Sequence, residues 1–206
     1  MIISIIGSGN VGGALAKKWI NAGHAVIIGA RTPLSDKNIK LATEIGEDRF
    51  TSIENAVRQS EVVFLATPAM AAVEVTRSLG NTTGKIIIDS MNIVMGRGPA
   101  GYNTTTDAIL DNTQSRDVVK CFNTTGFNNM VNPVYGNTTL DLFMAGDSEK
   151  GKSKARQLAL DAGFAECYSI GGNDKFALME QFAFFWINLA MMQGQGRDIG
   201  FKLLKR

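Results

Sequence analysis

The stretch Met1-Ile2-Ile3-Ser4-Ile5-Ile6-Gly7-Ser8-Gly9-Asn10-Val11-Gly12-Gly13 decides the fold. Ile2–Ile6 is rich in β-branched residues, as a buried strand requires, and it runs straight into glycines in the G-x-G-x-x-G spacing. A helical pattern follows, with Val11, Ala14, Leu15 and Trp19 on one face and Lys17 and Lys18 on the other, and it stops at Gly23. Strand, glycines and helix in that order give each glycine a task. Gly7 makes a tight turn, and Gly9 lets backbone amides approach a pyrophosphate. Gly12 lets the helix pack on the strand, with its N-terminus toward the phosphates. The reading is a dinucleotide-binding βα unit.

The same alternation continues along the chain. Strands are expected at Ala25–Ala30, Phe50–Thr51, Val62–Ala66, Lys85–Ile88 and Val118–Phe122, and helices at Ile39–Ile45, Ile53–Gln59, Ala69–Leu79 and Thr104–Leu110. Strands that are nearly unbroken apolar runs imply a mostly parallel sheet covered on both faces, a doubly wound α/β fold of the Rossmann type. Asn123–Asn137 reads as loop, and strands Leu140–Ala145 and Ala165–Ile170 then bracket a helix at Ser148–Ala162. Residues 1–170 are expected to form the nucleotide-binding domain, and 171–206 a helical segment for the acceptor site and dimerisation. Within that segment Asn173–Met192 reads as one long helix, apolar on nearly every face through Phe176, Met179, Phe182, Phe185, Trp186, Leu189 and Met192. Such a helix must be covered on two sides, most economically by its own sheet and by a second copy of the chain.

Composition bounds the partners. The 206 residues carry 21 basic and 19 acidic side chains, with no basic block, so neither nucleic acid nor an anionic membrane is indicated. Cys121 and Cys167 form no metal-ligand spacing and no disulfide framework, which suits a reducing cytoplasm and argues against a metal site. The N-terminal apolar run is consumed as the first strand rather than as a signal peptide. The longest apolar stretch, Phe182–Met192, is too short to cross a bilayer.

In an open parallel sheet, ligands lie at the carboxyl ends of the strands. After the second strand stands Gly29-Ala30-Arg31-Thr32, with Arg31 where an NAD enzyme would place an acid. A guanidinium there pairs with a ribose 2′-phosphate, helped by Thr32, Ser35 and Lys37, and so selects NADP. The later strands end in Ala66-Thr67-Pro68, in Asp89-Ser90-Met91-Asn92 and in Cys121-Phe122-Asn123-Thr124. These groups line the groove for the nicotinamide and its acceptor with amides and hydroxyls. Asp89 is the one acid among them and caps a turn. The sole histidine, His24, begins the second strand, far from this edge. No side chain is therefore assigned to proton transfer, which suits hydride passage between two rings that are merely positioned. Gly146–Ser153 fits the triphosphate pattern G-x-x-x-x-G-K-[ST], but Asp147 and Glu149 would oppose phosphate, and Ser148 is a better helix cap.

On Gly7–Leu15, Val26–Thr32, Val63–Pro68, Val118–Thr125, Ala145–Asp147 and the tail Trp186–Leu204, the chain resembles the NADP oxidoreductases typified by the coenzyme F420-dependent NADP reductase. That resemblance implies a homodimer and NADPH held by Ser8, Gly9, Asn10 and Val11, by Arg31 and Thr32, and by Thr67. It places a flavin or deazaflavin above the nicotinamide, against Asn123, Thr124 and Ile199. The acceptor side departs from the family: Asn123-Thr124-Thr125-Gly126 replaces a His-Thr-Ile-Pro run, and Ser90-Met91-Asn92 replaces a Pro-containing turn. The expected activity is hydride transfer between NADP(H) and a flavin-like acceptor. The alternatives are an imine reductase of the pyrroline-carboxylate type and a non-catalytic NADPH sensor.

Overall fold

A computed structural model describes residues Met1–Arg206. The principal sheet is assembled from β1 (Ile2–Ile6), β2 (Ala25–Gly29), β3 (Phe50–Thr51), β4 (Val62–Leu65), β5 (Ile86–Asp89), β6 (Asp117–Cys121), β9 (Asp141–Ala145) and β10 (Glu166–Ser169). Strand order across it is β10-β9-β6-β5-β4-β1-β2-β3, so the chain builds outward to β3 and then returns to lay β4 beside β1. The order reverses between β1 and β4. All pairings are parallel except β6 with β9, where Cys121 faces Met144 and Lys120 faces Ala145. The fold is the mostly parallel Rossmann-type α/β sheet that the sequence implies.

Period-two alternation splits the strands between two cores. Ile3, Ile5, Val62, Phe64, Ile86, Ile88, Val119 and Cys121 face one side, packing on α1 (Asn10–Asn21) and α7 (Glu149–Asp161). Ile6, Val63, Leu65, Ile87 and Val118 face the other, under α3 (Ile53–Gln59), α4 (Ala72–Arg77) and α5 (Thr105–Asp111). The first core centres on Trp19, Phe64 and Phe122, mutually edge-on with ring centroids 5.1–5.7 Å apart. Phe122 is there because its backbone turns left-handed (φ +63°) as β6 ends.

Ser148 caps α7, accepting the Gly151 amide at 2.9 Å, so Gly151–Ser153 is helix and no triphosphate loop forms. Two expectations need correction. The Asn-rich stretch 123–137 contains α6 (Phe127–Val131) and half of a small hairpin, β7 (Val134–Tyr135) with β8 (Thr138–Thr139). Its polar composition hides a short turn anchored by buried Met130, while Asn129 is buried by bonding to Thr125 and to the Ile199 carbonyl. The long C-terminal helix is not continuous: a 3-10 turn at Asn173–Lys175 leads into α8 (Phe176–Ile187), which widens into a π turn at Asn188–Met192. One face of α8 is buried through Phe176, Met179, Ala183 and Trp186, while Leu178, Phe184, Phe185 and, in the π turn, Met191 are exposed. Beyond it the tail is tied back, with Lys202 Nζ and the Leu203 amide both donating to Asp141. No helix is long and apolar enough to cross a membrane.

Candidate functional site

The reversal of strand order opens a crevice between the ends of β1 and β4. A Cβ on Gly7 would lie 2.4 Å from the Ala66 carbonyl oxygen, and its φ is +114°, so only glycine lets β1 turn this close to β4. A Cβ on Gly12 would lie 1.9 Å from the Gly7 carbonyl oxygen, which fixes how tightly α1 sits on the loop. Gly9, the residue capping α1, has nothing within 4 Å of its Cβ position. Its surroundings are open where a ligand would approach the helix N-terminus, whose first amides have no partner within the helix.

A cavity of about 750 Å³ runs from this loop to the end of β2. It is lined by Gly7, Ser8, Arg31, Thr32, Ser35, Lys37, Thr67 and Pro68, eight of the expected residues. A neighbouring cavity of about 610 Å³ takes in Ser8, Gly9, Asn10 and Lys37 beside Lys17, Lys18 and Lys40. Ser8 and Lys37 border both. Gly12 and Ala66 back the loop rather than line it, and Val11 is half-buried in the first turn of α1.

Arg31 projects into the first cavity as an exposed side chain, held only by Glu74 at 3.2 Å. An exposed ion pair of this kind contributes about 0–1 kcal/mol, so the guanidinium is free to exchange Glu74 for a doubly charged phosphate. Asn38, buried on α2 (Asp36–Ile45), was not singled out by sequence. Its Nδ2 donates to the Thr32 and Pro33 carbonyls at 3.0 and 2.8 Å, and its Oδ1 accepts from Ser8 Oγ. It thereby locks the Arg31 loop to the glycine loop.

The remaining expected residues lie along the ends of β4, β5 and β6 or in the tail, outside both cavities. Asn92 and Asn123 form a reciprocal pair: Asn92 Nδ2 donates to the Asn123 carbonyl at 2.8 Å and Asn123 Nδ2 to Asn92 Oδ1 at 2.9 Å. Asn123 and Thr124 are buried. Ile199 contributes its carbonyl, which takes the Trp186 indole N–H at 2.8 Å. Asp89 accepts the Met91 amide at 2.9 Å, capping that turn as expected, but it also holds Lys120 Nζ at 3.0 Å. Lys120, with Glu180 beside it, was missed. The signal was present: a lysine inside a strand buried on both faces, in register with Asp89 on the adjacent strand, needs a buried counter-charge. His24 stands before β2, its Nε2 2.9 Å from Asp161, away from the crevice.

With this geometry in place, known proteins can be set beside the chain. Residues 2–93 match the family of NADP oxidoreductases described as coenzyme F420-dependent. The matched segment carries the glycine loop, Arg31 and the β4 and β5 ends. No curated protein matches the chain by sequence. Among solved structures, a provisionally assigned F420-dependent NADP reductase from Arthrobacter sp. FB24 superposes with a TM-score of 0.87 at 23% identity, covering 100% of both chains. A hypothetical protein from Sinorhizobium meliloti gives 0.73 at 22% identity, covering 100% of this chain and 96% of its own. A reductive aminase from Aspergillus terreus, solved with NADPH and ethyl levulinate, gives 0.64 at 18% identity, covering 93% of this chain and 62% of that one. These likenesses establish a shared fold.

Proposed function

We propose that the protein is an NADPH-dependent oxidoreductase that passes hydride between NADP(H) and a flavin or deazaflavin acceptor. The observation that carries this reading is the switch-point crevice in which the open Gly9 cap and the exposed Arg31 side chain border adjoining cavities. When bound, NADP(H) supplies or takes up hydride at the nicotinamide ring. Ser8, Gly9, Asn10 and Val11 present the amides of the α1 N-terminus to the diphosphate. Arg31, Thr32, Ser35 and Lys37 face the adenosine ribose and its 2′-phosphate. Thr67 and Pro68, at the end of β4, line the crevice and would hold the nicotinamide end. Asn92, Asn123 and Thr124 would form a polar wall on the acceptor side, with Ile199 contributed by the tail, which its carbonyl ties to Asn129 and Trp186. The residues bind and orient, and positioning is most of what hydride transfer asks of a protein.

The exposed apolar face of α8 and its π turn supports a homodimer formed through the 171–206 segment. The imine reductase alternative is favoured by the reductive aminase likeness, yet this chain spans only 62% of that enzyme. Titration calorimetry with NADPH and NADH, followed by NADPH oxidation with flavins, deazaflavin and a cyclic imine, tests the reading. Tight NADPH binding with turnover of a flavin-type acceptor is expected. Turnover of the imine alone moves the assignment to the second class, and absence of binding to either nucleotide ends both.

A further inference from the structure

Lys120 is fully buried in mid-sheet, and its Nζ meets groups at the end of β5, in the segment that follows it, at the start of α5 and on α8. Its Nζ lies 2.9 Å from Glu180 Oε1, 3.0 Å from Asp89 Oδ2, and 2.9 Å from both the Met91 carbonyl and Thr105 Oγ1. Glu180 reaches from α8 to accept the Ile93 amide at 2.9 Å and the Thr105 amide at 3.0 Å. Asp89 in turn accepts the Met91 amide and the Thr105 and Thr106 hydroxyls. The residues from Ser90 to Thr104 form a long segment with no helix or regular strand. Both of its ends are therefore gripped at one point, at Met91 and Ile93 on one side and at Thr105 on the other. A loop of this length within a compact domain is usually functional, and this one carries Asn92.

We propose that Lys120, Asp89 and Glu180 form a positioning clamp that fixes both ends of the 90–104 loop against α8 and so sets the Asn92–Asn123 pair at the acceptor side of the site. A buried ionic cluster gains little stability over an apolar one of the same shape. What it gains is direction, because each hydrogen bond admits one loop position. The catalytic consequence rests on the NADPH-oxidoreductase reading; the mechanical part does not. Glu180 also borders a surface cavity of about 490 Å³ with Ile93, Met95 and Phe184, so loosening the clamp loosens loop and helix together.

Glu180→Gln keeps the shape and turns one carboxylate oxygen, an acceptor, into a donor. NMR-detected hydrogen exchange of the full chain is expected to show the Ile93 and Thr105 amides, with the 90–104 loop, exchanging at least about tenfold faster, and the β1 and β4 amides unchanged. Turnover of the acceptor is expected to fall by about tenfold or more at unchanged NADPH affinity, since small misplacements of reacting groups are costly. Unchanged exchange at Ile93 and Thr105 overturns the clamp, and so does a uniform rise across the whole protein. Faster local exchange with undiminished turnover overturns its role in positioning. Failure of the wild-type protein to bind NADPH would sink the functional reading alone, because exchange still decides the clamp. Should Glu180→Gln not fold, Thr105→Val removes one hydroxyl of the cluster and carries the same measurements.

Discussion

The two ends of the site are built differently. On the proposed cofactor side, the β1–α1 turn and the Arg31 loop act mainly through local geometry: three glycines within six residues, a short polar loop, exposed side chains and Asn38 only a few residues downstream. On the proposed acceptor side the decisive links are long-range. Glu180 meets the Thr105 and Ile93 amides across 75 and 87 residues of chain, and Asn123 meets Asn92 across 31. The first region is shaped by what a backbone can do without side chains. The second is shaped by side chains held in a buried polar cluster. A nucleotide gripped by amides tolerates an open, wet crevice, whereas ring alignment needs a rigid wall.

That contrast can be broken at several points. Gly12→Ala would drive a Cβ to 1.9 Å from the Gly7 oxygen, and it is expected to cost more than about 4 kcal/mol, read as loss of soluble, cooperatively melting protein. Its neighbour sharpens the point. Gly9→Ala meets no atom and has an ordinary φ of −71°, so it should melt like the wild type while NADPH affinity falls. Lys120→Met leaves two buried carboxyl groups without their cation, and it should lower the unfolding free energy in urea by about 3–5 kcal/mol, with whatever folds still binding NADPH. Arg31→Ala should leave melting unaltered and raise the NADPH Kd about ten- to hundredfold, with NADH hardly affected. Equal weakening of both nucleotides would remove Arg31 from 2′-phosphate recognition.

The smallest effect concerns acid. Ser148 Oγ and Lys150 Nζ both donate to Asp117 and hold its carboxyl below the usual aspartate range. A carboxyl depressed in the folded state stabilises it above the unfolded pKa, near about 4, and loses that contribution as pH falls through the folded value. Asp117→Asn should therefore be slightly less stable than wild type at pH 7, and the gap should close toward pH 2 in urea titrations. A gap that persists at low pH would assign the effect to packing.

How much was legible follows the same division. The glycine loop, the alternation of strands with helices, the position of Arg31 after β2 and the Ser148 cap were readable because each depends on residues close in sequence, with a fixed spacing and a fixed stereochemical reason. α6 was not, because Asn129 looks like a turn former until its partners Thr125, Tyr135 and the Ile199 carbonyl are known. The Lys120 cluster was half visible: the lysine stands out in an apolar strand, but Glu180 sits in an apolar helix 60 residues later, and no local rule connects them. The break of the last helix at Asn188 has no local signal that we can identify.

Only two indoles exist in the chain, and the fold has put one in each territory. Trp19 is sealed between Phe64 and Phe122 and donates to the Leu158 carbonyl; Trp186 presses on Gly126 and holds the tail through Ile199. The molecule thus carries its own pair of optical reporters. Removing either one leaves a fluorophore that watches the α1-side core of the sheet or the C-terminal strap by itself, so whether the two give way in concert or in succession can be read from emission without attaching any dye.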